Sequence, residues 1–188
     1  MSSKAAAARQ SQMRRVLVLP VVILTGLALA AGATLPDGRP TPTGLPVPRW
    51  LSLKSDEVRA RAGPGLDYRI LWEYRAARLP VQVIAETREW RKICDPEGAV
   101  AWVHRSVVSS RRSAFNPAET PAPIHARPDD ASRLAARLSP RSLIAVDDCE
   151  DGWCRVRAGR VKGWVEARRV WGAAETARCD ALARPGAR

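Results

Sequence analysis

The feature that most constrains this chain is a sequence pattern that occurs twice. Each copy has a Trp-x-x-Ile or Trp-x-x-Val motif, followed by a Trp-Val pair 12 residues after the first Trp in one copy and 11 in the other. The tryptophans are Trp90 and Trp102 in residues 50–108, and Trp153 and Trp164 in residues 124–171. A repeat of this length predicts two diverged copies of one structural unit of about fifty residues.

The repeat extends beyond the tryptophans and has the pattern of short strands. Apolar residues alternate with polar neighbours in each copy, as half-buried strands require. The segments that we align are residues 58–61 with 124–127, 69–70 with 133–134, and 81–83 with 144–146. Turn signals such as Gly63-Pro64-Gly65 separate the strands, and no amphipathic helical run occurs between residues 50 and 171. We therefore predict an all-β fold of two small β-barrels in tandem, since closure removes exposed strand edges.

Proline-rich segments set the expected domain boundaries. Residues 34–49 hold five prolines and residues 109–123 hold three, which favours extended linkers. The predicted organisation is a linker at 34–49, domain 1 at 50–108, a linker at 109–123, domain 2 at 124–171 and a tail at 172–188.

The first 33 residues have the pattern of a secretory signal peptide. Four basic residues precede an uncharged apolar stretch at residues 16–31, which ends in the small-residue sequence Ala31-Gly32-Ala33. An alternative is that the stretch stays uncleaved and anchors the chain in the inner membrane, its only expected membrane contact. Both alternatives predict that the remaining chain is periplasmic or secreted.

Charge and composition argue against several function classes. The net charge is +12, but the basic residues are interleaved with acids, whereas nucleic-acid binders concentrate positive charge on one face. Two histidines and four cysteines without paired CxxC spacing do not predict a metal site, and no nucleotide-binding motif occurs. We expect no cofactor, no metal and no nucleic-acid partner.

Cysteines give a more specific prediction. Cys149 and Cys154 flank a tight turn, and the aligned residues in the first copy are Glu86 and Arg91. Residues that face each other across a hairpin lie at separations that a disulfide can span. Because the expected compartment is oxidising, we predict a Cys149–Cys154 disulfide.

Cys94 leaves two alternatives open. It pairs with Cys179, which would tie the tail to the first domain, or it remains a free thiol. A role as a catalytic nucleophile with His104 or His125 is disfavoured, because Cys94 lies in a predicted strand rather than at a helix start beside a cleft.

These motifs resemble the bacterial SH3-like (SH3b) domain family. The resemblance is carried by Val58–Gly65 (VRARAGPG), Glu89–Ile93 (EWRKI) and Ala101–Ser106 (AWVHRS) in the first copy. The second copy keeps Gly163-Trp164-Val165 but has Arg127-Pro128-Asp129-Asp130 in place of the Gly-Pro-Gly opening.

The resemblance implies a non-catalytic binding module of the cell envelope that recognises peptidoglycan or an envelope protein. Catalysis in such proteins usually belongs to a separate attached domain, so we expect no enzyme activity. The alternative is a fragment or accessory of a cell-wall hydrolase with weak catalytic activity.

Differences between the copies point to candidate binding residues, because shared residues serve the shared structure. Tyr68, Trp72 and Tyr74 align with Ser132, Ala136 and Leu138, so the first copy has additional aromatic side chains. Trp72 has the alternative role of filling the barrel. Arg91 and His104 are further candidates, for binding an acidic peptide or a carboxylate, or are solvated surface residues.

Overall fold

A computed structural model describes residues 33–174, 178–179 and 184–186. Residues 1–32 of the predicted signal or anchor segment, together with part of the tail, lie outside the described residues. No helix in the described ranges has the length and apolar character needed to cross a bilayer.

Residues 49–109 form a seven-stranded antiparallel sheet in the order β3-β2-β6-β5-β4-β1-β7. A 3-10 helix at Arg105–Val107 precedes its last strand. The strands are β1 (Arg49–Leu53), β2 (Val58–Arg61), β3 (Ile70–Tyr74), β4 (Pro80–Glu86), β5 (Trp90–Cys94), β6 (Val100–His104) and β7 (Val108–Ser109).

Residues 113–166 form a second antiparallel sheet of six strands in the order β10-β9-β13-β12-β11-β8. Another 3-10 helix, Ala167–Arg169, follows it. The strands are β8 (Ser113–Phe115), β9 (Ala122–His125), β10 (Leu134–Leu138), β11 (Leu143–Glu150), β12 (Trp153–Ala158) and β13 (Val161–Glu166).

The strand registers show that the two sheets are copies of one unit. Trp102 on β6 lies opposite Lys92 on β5, and Trp164 on β13 lies opposite Arg155 on β12. Each copy buries its own apolar core, centred on Val83 and Ile93 or on Val146 and Val156. The all-β prediction and the tandem repeat are therefore confirmed, while closure of each sheet into a barrel stays a prediction.

One part of the predicted alignment is wrong by two positions. Residues 58–61 do not match residues 124–127, because Arg61 and His125 lie opposite the second tryptophan of their respective copies. Since side chains two apart on a strand point to the same face, a shift of two residues preserves the apolar pattern and cannot be detected from it.

The segments predicted as linkers are not free spacers. Within residues 109–123, β8 forms an edge of the second sheet and β9 begins at Ala122. Within residues 34–49, Thr43 donates a hydroxyl hydrogen bond to the Glu86 carboxylate and β1 begins at Arg49. Proline removes only its own N–H, so the residues between the prolines remain able to pair with the sheets.

Residues after β13 dock on the first sheet. The Trp171 indole N–H donates to the carbonyl of Pro80 (2.9 Å), and its ring meets Trp50 edge-on at 5.1 Å between centroids. A disulfide joins Cys94 on β5 to Cys179. These contacts attach the end of the second copy to the first.

Candidate functional site

The first domain has an open groove of about 570 Å³ beside β2 and β6, which we call the Trp90 groove. Trp90 and His104 line one part of it, and Val107 continues that wall. The other lining residues are Ser55, Asp56, Glu57, Arg59, Arg61 and Leu66. The groove therefore combines one aromatic wall with charges of both signs.

Arg61 holds the loop that borders the groove. Its guanidinium donates hydrogen bonds to the carbonyls of Leu66 (2.9 Å) and Tyr68 (2.7 Å). The ring of Tyr68 covers Gly63 so closely that a Cβ at Gly63 would overlap it. The Gly-Pro-Gly opening thus lets an aromatic ring lie flat on the loop backbone.

This loop and the start of β3 display an apolar surface, which we call the Tyr68 patch. Leu66, Tyr68 and Ile70 are 74%, 49% and 46% exposed. Ile70 faces outward because β3 has a bulge where Arg61 pairs with Ile70 and Ala60 pairs with Trp72. The extra residue, Leu71, breaks the alternation of faces, so a pattern of period two does not predict the exposure of Ile70.

Trp90 and His104 form the aromatic wall. Their rings meet edge-on at 5.3 Å between centroids. The His104 Nδ1 accepts a hydrogen bond from the Ser106 backbone N–H (3.3 Å), and its Nε2 lies 3.5 Å from a carboxylate oxygen of Glu89. His104 is therefore held in place with one ring edge toward an acid.

Trp72 and Tyr74 lie on β3, away from the groove lining. Tyr74 is buried and donates its hydroxyl to Asp95 (3.1 Å). Burial, together with the Asp95 charge, raises the pKa of Tyr74 far above its ordinary value. Trp72 is half-buried against the core and meets the Tyr74 ring edge-on at 6.0 Å. The structure thus brings these two predicted residues together inside the domain.

Arg91 is also internal, in a buried cluster with Glu86 and Arg49. The Glu86 Oε2 lies 2.5 Å from Arg49 and 3.2 Å from Arg91. Burial by itself would raise the pKa of Glu86, but hydrogen bonds from Arg49 and Thr43 and the two guanidinium charges lower it below its ordinary value. Burial lowers the pKa of the Arg91 guanidinium. The interior position of Arg91 removes it from the set of accessible candidates.

Most residues of this site were not candidates from the sequence, among them Arg59, Arg61, Leu66 and Ile70. Arg59 and Arg61 belong to the motif VRARAGPG, but an arginine on a strand gives no sign of which groove it borders. Leu66 follows the Gly-Pro-Gly turn directly, and an apolar residue at an exposed loop tip was the available signal.

The second domain lacks the Tyr68 patch. The equivalents of Leu66 and Tyr68 are Asp130 and Ser132, and Ser132 is buried. His125 takes the place of Arg61, and its ring meets Trp153 edge-on at 5.6 Å. Within the described residues, the first domain therefore has this apolar loop surface and the equivalent loop of the second domain does not.

All four cysteines are paired, as Cys94–Cys179 and Cys149–Cys154. The Cys149–Cys154 pair lies directly across the hairpin of β11 and β12, with Cα atoms 4.0 Å apart. Cys94 therefore has no free thiolate to act as a nucleophile.

The bacterial SH3 domain family model matches the chain twice, at residues 54–110 and 118–172. The two matches together cover more than half of the chain. A sequence comparison with curated proteins finds no match.

Solved structures give weak similarities. The chain is similar to NlpC2 from Trichomonas vaginalis at 14% identity, over 66% of this chain and 48% of that one, with a TM-score of 0.31. It is similar to NlpC1 from the same organism at 11% identity, over 66% of this chain and 45% of that one, with a TM-score of 0.29. This chain spans about half the length of both structures.

Proposed function

Since this chain belongs to the bacterial SH3 domain family and carries two tandem copies, we propose that it is a non-catalytic binding protein of the cell envelope. Its first domain binds peptidoglycan or an envelope protein. The binding surface consists of the Tyr68 patch and the adjoining Trp90 groove, with Tyr68 and His104 as contacts predicted from the sequence. Trp72, Tyr74 and Arg91 support this surface from inside the domain.

The observation that carries the proposal is the contrast between the domains. The three apolar side chains of the Tyr68 patch are exposed next to a groove, and the second domain has polar residues at two of the three equivalent positions. Exposed apolar residues around a groove are typical of binding surfaces, and tyrosine is favoured as an anchor because it is large and fairly rigid. Arg61 preorders the loop, which lowers the entropic cost of binding.

The proposed location is the periplasm or the exterior, with residues 16–31 either cleaved off or retained as an inner-membrane anchor. Two disulfides support this location, because disulfides persist in oxidising compartments. The alternative is a fragment or accessory of a cell-wall hydrolase with weak catalytic activity. The disulfides count against a catalytic cysteine in it, since both sulfur atoms of each pair are already bonded to each other.

Sedimentation with purified peptidoglycan sacculi tests the proposal. We compare the chain from residue 33 onward with a Leu66→Ser and Ile70→Ser double variant. The matched control is Leu134→Ser, which changes the exposed residue of the second domain that is equivalent to Ile70. We expect the double variant to bind at least about tenfold more weakly, because it lacks two apolar side chains that the ligand would cover. The control should bind like the wild type.

Two other results have distinct meanings. If the wild type does not sediment with sacculi, peptidoglycan is excluded and an envelope protein remains the ligand. Equal weakening in the double variant and the control would contradict the assignment of binding to the first domain. Thermal unfolding of each variant checks that the fold is retained.

A further inference from the structure

A second concave surface lies where the two domains meet, separate from the Trp90 groove. This interdomain cleft has a volume of about 1090 Å³, at the upper end of small-molecule sites. Both domains contribute to it, with Ser52 from β1 on one side and Ala145 from β11 on the other.

Five cationic side chains line the interdomain cleft, and no carboxylate is among its lining residues within the described part of the chain. Asp147, next to the cleft, pairs with one of them, Arg157, at 2.6 Å. The cations come from four separate segments, which explains why the sequence shows no basic block. They are Lys54, Arg78, the adjacent Arg111 and Arg112, and Arg157.

Two of these arginines have their backbones fixed by buried hydroxyl groups. Ser113 of the second sheet donates to the Arg78 carbonyl at 2.6 Å, and Ser52 of the first sheet donates to the Arg111 carbonyl at 2.6 Å. Both serines are buried. The contacts of Trp171 with the first sheet hold the domains together, so the backbone positions of Arg78 and Arg111 are set before any ligand arrives.

Arg112 has lost the acidic partner that its equivalent retains. In the first domain, Arg49 binds the Glu86 carboxylate at 2.5 Å. In the second domain, Arg112 occupies the place of Arg49, and Cys149 occupies the place of Glu86. The Arg112 guanidinium therefore lies 3.4 Å from the Cys149 sulfur atom instead of beside a carboxylate. Its charge is therefore not neutralised by the residue at that position.

We propose that the interdomain cleft binds an oxyanion ligand carrying two or more phosphate or carboxylate groups. The planar guanidinium groups match both kinds of oxyanion with paired hydrogen bonds, and several cations around one cleft favour a ligand with more than one negative charge. This site is independent of the envelope binding proposed for the first domain.

Calorimetric titration with pyrophosphate and, separately, with citrate tests the proposal and distinguishes the two chemistries. The test variant combines Arg78→Asn with Arg111→Gln. Asparagine suits the left-handed backbone at residue 78 (φ 64°), and Arg111 is exposed. The control combines Arg88→Gln with Arg160→Gln, which removes the same charge from exposed positions outside the cleft.

We expect at least one of the two probes to bind saturably, with affinity that falls as salt rises. The test variant should bind that probe at least about tenfold more weakly, because each lost charge-assisted hydrogen bond is worth about a tenfold change in affinity or more. The control should bind like the wild type. No saturable binding of either probe, or equal weakening in both double variants, would overturn the proposal.

Discussion

The same hairpin position is joined in two chemically different ways in the two domains. In the first domain, Glu86 on β4 lies opposite Arg91 on β5, and the pair is a buried salt bridge. In the second domain, Cys149 lies opposite Cys154, and the pair is a disulfide. Each pair follows a β-bulge in its hairpin. The strands are thus linked at this position in both domains, by an ionic bond in one and a covalent bond in the other.

The two links differ in what surrounds them. Glu86 needs Arg49 and Thr43 as well as Arg91 to compensate its burial, so the ionic link depends on the segment before β1. The disulfide needs no such support. The first domain is therefore expected to be the one that is sensitive to single charge changes.

The largest expected effect comes from removing the charge of Glu86. Glu86→Gln leaves Arg49 and Arg91 buried without an anion, and breaking a buried ion pair in this way costs about 3–5 kcal/mol. We expect that loss in the free energy of unfolding, measured by urea denaturation. The control is Glu89→Gln, which breaks exposed ion pairs with His104 and Arg105 and should cost less than about 1 kcal/mol.

A second comparison concerns Ala101 and Gly163, which occupy equivalent positions on β6 and β13. A Cβ at Gly163 would lie 2.6 Å from the backbone oxygen of His125, so Gly163→Ala should destabilise the protein by about 1–3 kcal/mol. The first domain already accommodates a methyl group there, and Ala101→Gly should cost only about 1 kcal/mol. Urea denaturation of both variants measures this difference, and equal costs would contradict the distinction.

Removing the disulfide should cost about 2 kcal/mol, because the loop that Cys149 and Cys154 close spans only five positions. The Cys149→Ala and Cys154→Ala double variant gives this value by denaturation.

A Cys149→Glu and Cys154→Arg double variant tests whether the ionic and covalent links are interchangeable. With Arg112 available as the equivalent of Arg49, we expect it to be more stable than the double alanine variant. If it is less stable than the double alanine variant, the ionic link depends on further residues of the first domain, such as Thr43.

The smallest effect is a difference in acid sensitivity. The pKa of Glu86 lies below its ordinary value near 4.5, so its stabilising contribution is complete above that value and is lost as the pH falls through the lowered pKa. The difference in stability between the wild type and Glu86→Gln should therefore narrow as the pH falls below about 4.5. Unfolding curves from pH 7 to pH 3 measure the convergence. A constant difference between the two proteins would contradict it.

The tryptophan repeat predicted most of the fold because these residues occupy the same register in both sheets. The alignment of Cys149 and Cys154 with Glu86 and Arg91 followed from the same repeat, and the hairpins place all four as expected. In contrast, the docking of residues 34–49 and 109–123 depends on contacts with residues distant in the chain, such as Thr43 with Glu86 and β8 with β11, which no local pattern encodes.

The candidate site was less predictable than the fold. Differences between the copies identified Tyr68, which is exposed, and Tyr74, which is buried. Of the two candidates for binding a carboxylate, His104 lines the groove, whereas Arg91 is buried. Whether an aromatic or basic residue is buried depends on the bulge in β3 and on the partners of Glu86. These are tertiary features that the alternation of apolar and polar residues along a strand does not predict.

The Cys94–Cys179 bond has a mechanical consequence. The second domain lies entirely between these two cysteines in the chain. If tension is applied between residue 33 and residue 186, the load passes from Cys94 through the sulfur atoms to Cys179. The covalent path then bypasses residues 95–178, which hold β6 and β7 of the first domain as well as the whole second domain, so the bond limits how far stretching can extend that part of the chain.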